Sequence, residues 1–80
     1  MDTRPMPSTL RRYAHECGAD PGLYSWVYLA YCLARQVCPT PGGHTGLIRW
    51  LKERNEEYRR DGAGGDRQEW LVRRAEQLAS

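Results

Sequence analysis

Phenylalanine is absent from these 80 residues, Lys52 is the single lysine and Ile48 the single isoleucine. A core must therefore come from Leu, Val, Ala, Tyr and Trp, and nearly all positive charge is arginine. GC-rich codon usage, bacterial or phage, accounts for the Arg, Ala, Gly and Pro content; arginine kept for bidentate contacts is the sharper alternative. Neither charge sign dominates. Twelve basic and ten acidic residues leave a net charge of +2, too balanced for the electrostatic footprint of a dedicated nucleic-acid binder.

No apolar run is long enough to span a bilayer. The longest uncharged stretch, Pro21 to Ala34, has 14 residues, whereas a spanning helix needs roughly 20. It reads as a buried helix, and no membrane association is expected. The N-terminus carries no apolar run of the secretory type. Three cysteines, an odd number, argue against a secreted disulfide framework. The cytoplasm is the expected compartment. Eighty residues fit one domain with a thin core, a class that often leans on a metal, a disulfide or a second copy of itself.

What is present is clear punctuation. Residues 1–7, with two prolines, predict a flexible arm, and 8–80 a single helical domain. Ser8 can cap a first helix whose Leu10, Tyr13, Ala14 and Cys17 share a face, with Gly18 closing it. Asp20-Pro21 is a helix start, carboxylate on the orphan N–H groups and proline at the first position. That helix should run to Val37, because Pro39 and Pro41 forbid continuation. Thr45 can cap a third helix ending near Arg60. A flexible glycine stretch, Asp61-Gly62-Ala63-Gly64-Gly65, follows. Asp66 with Glu69 makes an Asp-led capping box for a fourth. The pairs Glu56–Arg60 and Glu69–Arg73 have the favourable i,i+4 orientation. The fold class is all-α: a compact bundle of three to four short helices around a central apolar helix at about 20–37.

That central helix has two faces of interest. Leu23, Trp26, Val27, Ala30, Leu33, Ala34 and Val37 fall together at 100° per residue and form the expected core stripe. Tyr24, Tyr28, Tyr31 and Arg35, at i, i+4, i+7 and i+11, form a separate line. They pack under a neighbouring segment with hydroxyls reaching water, or they form a recognition stripe. Tyr and Arg dominate interface hot spots because they bury area while satisfying a polar tip.

The remaining constellations are weaker. His15, Cys17, Cys38 and His44 are zinc-type ligands, but His-x-Cys on a helix points its side chains about 200° apart, and no Cys-x2-Cys knuckle exists. Buried free thiols are the simpler reading. A Cys32–Cys38 bridge is awkward, since residues six apart in a helix do not meet. No cofactor is expected. Cys with His is a nucleophile–base pair in principle, yet a small helical chain offers little room for a closed pocket. Neither glycine cluster carries the Lys-Ser/Thr of a phosphate loop, so no enzyme activity is expected.

The sequence therefore points to a small protein-binding regulator or inhibitor that sterically blocks a partner through Tyr24, Tyr28, Tyr31 and Arg35. Proteins of this category include phage host-takeover and anti-defence factors. The alternative is a small nucleic-acid-binding regulator using Arg11, Arg12, Arg59, Arg60, Arg73 and Arg74. A homodimeric structural module is the third reading.

Overall fold

The computed structural model describes residues 6–61 and 65–79. Most of the expected arm, and Gly62, Ala63 and Gly64 of the glycine stretch, lie outside them. The described chain is all-helical: α1 (Ser8–Glu16), a 3₁₀ turn (Pro21–Leu23), α2 (Trp26–Arg35), α3 (Leu47–Arg60) and α4 (Arg67–Ala79). Among the described residues, no helix is long and apolar enough to cross a membrane.

α1 begins one residue earlier than its expected cap. Pro7 holds that position and its carbonyl accepts from the Leu10 and Arg11 N–H groups; no side chain caps the helix. At the other end the left-handed Gly18 closes α1 as expected, with the Ala19 N–H returning to the Ala14 carbonyl.

The central helix is shorter than the 20–37 expected. Asp20 does accept from the Gly22 N–H at 2.9 Å, but this starts only one 3₁₀ turn. Tyr24 is extended, and Ser25 caps a new helix by accepting from the Tyr28 N–H. Two cap residues five apart compete, and the chain uses both with a bend between. The helix also stops before the prolines. Gln36 turns left-handed at φ 56°, and the Val37 N–H closes back on the Cys32 carbonyl. Such a turn satisfies helix-end carbonyls. The Gln36 amide then donates to the Ala79 carbonyl, tying the ends of α2 and α4.

The buried face of α2 overlaps the predicted stripe only at Ala30. Tyr28, Leu29, Ala30, Tyr31 and Cys32 are buried in succession. Leu23, in the 3₁₀ turn, is 74% exposed and Val37, beyond the left-handed residue, 46%. Trp26, Val27, Leu33 and Ala34 pack at the margin of the core. α4 is the principal partner of α2, through Leu71, Val72 and Ala75; α1 adds Leu10 and Ala14, and α3 adds Leu47 and Trp50. A helix covered from several directions buries a whole turn rather than a stripe.

α3 starts at Gly46, not on a Thr45 side-chain cap. Gly46 is left-handed, φ 90°, and a Cβ there would sit 3.0 Å from the Tyr31 hydroxyl. Asp66 caps α4 as expected, accepting from the Gln68 N–H at 2.9 Å.

Cys17 and Cys38 form a disulfide, Cα atoms 5.5 Å apart, joining the end of α1 to the segment after α2. Beside it the Tyr13 hydroxyl donates to the Val37 carbonyl at 2.8 Å. Free thiols were expected at both cysteines; only the buried Cys32 keeps one. Because that odd cysteine is a small core residue, the odd count does not exclude a bridge.

Candidate functional site

The line Tyr24, Tyr28, Tyr31 and Arg35 lies in a seam between α2, the 38–46 loop and α3. Tyr28 is 2% exposed and Tyr31 6%. The Tyr28 hydroxyl bonds to both the N–H and the carbonyl of Thr40, and Tyr31 donates to the Thr45 carbonyl at 3.0 Å. Tyr28 stacks on His44 at 4.3 Å between centroids, and Tyr31 meets Trp50 edge-on at 5.6 Å. A phenol can be buried when its hydroxyl finds a partner, and loop backbone supplies that partner twice. Arg35 is exposed, its guanidinium 5.5 Å from the Tyr31 ring centroid, and Tyr24 is half-buried. As a continuous recognition stripe this line is thus corrected: its two middle members are core.

The zinc-type residues are not gathered either. Cys17 and Cys38 spend their sulfurs on each other, His15 is exposed on α1, and His44 is stacked on Tyr28. Among the described residues no three His, Cys, Asp or Glu side chains are placed to hold a metal. Burial pushes the Cys32 thiol up from its ordinary range, against a lowering hydrogen bond with Tyr28; a thiol so held is a poor nucleophile.

The arginine pairs part company. Arg11 and Arg12 are exposed on α1. Arg60, Arg73 and Arg74 instead share a cleft of about 460 Å³ between α3 and α4, with Glu57, Asp61, Trp70 and Gln77. Arg59 is exposed on the same last turn of α3 without lining it. The cleft is anchored by Glu57, which receives Arg74 from the other helix at 3.0 Å and Arg54 from its own, also at 3.0 Å. Arg54 approaches from the same helix and adds chiefly its charge. The Arg74 hydrogen bond, chiefly, with both guanidinium charges, holds the Glu57 carboxyl below its ordinary range against the opposing effect of burial. Tyr58 fixes the wall: its hydroxyl donates to the Gly65 carbonyl at 2.7 Å, and its ring meets Trp70 edge-on at 5.4 Å.

The pairs Glu56–Arg60 and Glu69–Arg73 do not form among the described residues, where Arg54 and Arg74 pair with Glu53 and Glu57 instead. Arg60 and Arg73 are exposed and have no ion-pair partner among the described residues. Of the residues that organise the cleft, Glu57 carries no sequence signal, and Trp70 reads from the sequence only as part of the apolar face of the fourth helix, with Leu71, Ala75 and Leu78. Their spacing along each helix is ordinary, and their meeting is a matter of how α3 and α4 pack.

No family model matches the chain, and no curated protein or solved structure matches it.

Proposed function

We propose that this chain is a small non-catalytic regulator that binds another protein and sterically covers part of its surface, with the α3–α4 cleft as its contact face. The observation that carries this reading is the pair Arg60 and Arg73, one from each helix, exposed and without ion-pair partners among the described residues, beside Trp70 in one concavity. Arg and Trp are residues whose removal costs most at protein interfaces. The role first ascribed to the tyrosine line passes to this cleft, because Tyr28 and Tyr31 are occupied in holding the fold. Arg35 remains available as an outlying contact.

The mixture of charge favours a protein over a nucleic acid. Glu57 and Asp61 line the same cleft, and a phosphate backbone has no counterpart for them. The paired cysteines remove one ground for a cytoplasmic placement and favour a compartment oxidising enough to keep the bridge. Regulation of a host or rival protein, as by phage anti-defence factors, stays within this proposal.

The test is capture from a plausible host lysate by the immobilised chain, read by mass spectrometry. A partner retained by the wild type and by Arg12→Glu, but lost by Arg73→Glu, supports the reading. Equal capture by both variants overturns the cleft as the contact face. Affinity that collapses steeply with salt on a nucleic-acid probe favours the nucleic-acid alternative, and twice the monomer mass in solution favours a second copy as partner.

A further inference from the structure

We propose that the Arg60, Arg73 and Trp70 corner of the cleft is a carboxylate-binding subsite, and that its occupant is a short acidic segment of the partner protein. This deepens the protein-binding reading and rests on it.

Local charge is the first argument. Glu57 is the one carboxylate between Arg54 and Arg74, each at 3.0 Å. The cleft itself is lined by three guanidiniums, Arg60, Arg73 and Arg74, against the carboxylates of Glu57 and Asp61, an excess of one positive charge. An arginine fork matches a carboxylate with two parallel N–H donors. The two arginines without ion-pair partners rise from different helices, so one acidic segment can meet both.

The surface beyond Arg73 supplies the second argument. Asp61, Asp66 and Glu69 line the continuation of the cleft past Trp70, and Asp66, Glu69 and Glu76 line the concavity on the other side of Arg73. Glu69 precedes Arg73 by four residues, about 6 Å of axial rise. A polyanion, with a charge every few ångströms, would run from the arginines straight into these carboxylates. A peptide spans that distance in about two extended residues and can change its charge within it. The occupant that fits carries acidic side chains over Arg60 and Arg73 and neutral or basic ones beyond. The half-buried indole of Trp70, braced by Tyr58, gives the backbone between them an apolar wall.

The experiment uses the full chain, oxidised, with three fluorescein-labelled probes. They are an octapeptide with aspartate at its first and third positions and glycine elsewhere, the same peptide with asparagine for aspartate, and a short single-stranded oligonucleotide of equal charge. Arg60→Gln/Arg73→Gln is compared with Arg11→Gln/Arg12→Gln, which removes the same charge from exposed positions on α1. Circular dichroism confirms that both variants fold. The acidic peptide should bind the wild type and the α1 variant alike, lose about tenfold or more in affinity on the cleft variant, and shift the Trp70 indole N–H resonance in a ¹⁵N-labelled sample. The asparagine peptide should not bind.

Equal loss on both variants would reduce the effect to net charge and overturn the subsite. An oligonucleotide that displaces the peptide at equal charge overturns the peptide as occupant. If the wild type ignores the acidic peptide yet still captures a protein in an Arg73-dependent way, this inference fails and the protein-binding reading survives it.

Discussion

The Tyr28 hydroxyl bonds to Thr40 twice, donating to its carbonyl and accepting from its N–H, each at 3.1 Å. One side chain of α2 thereby replaces the strand or helix partner that a loop residue would otherwise lack. The loop closes tightly around it: a Cβ on Gly43 would lie 2.5 Å from the same hydroxyl. Tyr28 is therefore both core and loop anchor.

Two substitutions separate these roles. Tyr28→Ala should destabilise by about 3–5 kcal/mol, as for other large aromatic truncations in a core. Tyr28→Phe keeps the ring and strands the Thr40 groups, so a loss of about 1–3 kcal/mol is expected. Urea denaturation reads both. Unchanged stability in Tyr28→Ala would return the residue to the surface role first expected of it.

The Cys17–Cys38 bridge spans a sequence separation of 21. Loop-closure entropy for that length is worth about 3 kcal/mol, a large share of the stability of a small domain. Adding a thiol reductant should lower the melting temperature by on the order of 15 °C. The double variant Cys17→Ser/Cys38→Ser should melt at the reduced value and ignore the reductant. A wild type indifferent to reduction would mean that packing of α1 suffices without the bridge.

Cys32 is buried and its thiol is raised by that burial. The oxidised native protein should therefore show no thiol reactive toward a small aromatic disulfide reagent near pH 8. One thiol should appear on unfolding, and three when the unfolded chain is also reduced. Rapid labelling of the native protein would place Cys32 at the surface or leave the bridge unformed.

Glu57 makes the acid limb of stability predictable in sign. Its carboxyl is held below the ordinary 4.5, first by the Arg74 hydrogen bond. The folded state thus binds the proton less readily than the unfolded chain, so the contribution is complete above about pH 4.5 and is lost as pH falls through the depressed folded value. Glu57→Gln should be less stable than wild type at pH 7, with the gap closing as pH falls toward 3. Urea midpoints across that range check it; a gap independent of pH would assign the loss to packing.

Helix number and composition were legible because breakers and caps act locally. Gly18 and Asp66 bound their helices by local rules that need no distant partner, and α3 ends at Arg60 as expected, whereas α2 ends at a left-handed Gln36 ahead of the prolines. Local rules also misled. Asp20-Pro21 has every feature of a helix start, yet Ser25 begins the longer helix, and periodicity alone could not say which face of α2 would be covered. That depended on what arrived there: a loop whose Thr40 and Thr45 backbone groups satisfy two phenols made burying tyrosines cheaper than burying Leu23 or Val37.

The same division holds for the candidate site. No spacing along the chain foretells the meeting of Glu57 with Arg74, 17 positions apart, but the arginine pairs are plain in it, and Arg60 and Arg73 come from them. Tertiary packing decided that Glu57 would turn inward to Arg54 and Arg74. That choice left Arg60 and Arg73 exposed in one cleft, and it joined Cys17 to Cys38. By itself the sequence determined four helical segments and a near-neutral, arginine-borne charge, because those follow from residue type and short spacing. Which aromatic face is core, which cysteines pair and which arginines remain available were decided only by the folded chain, because each depends on a partner that no spacing along one helix reveals.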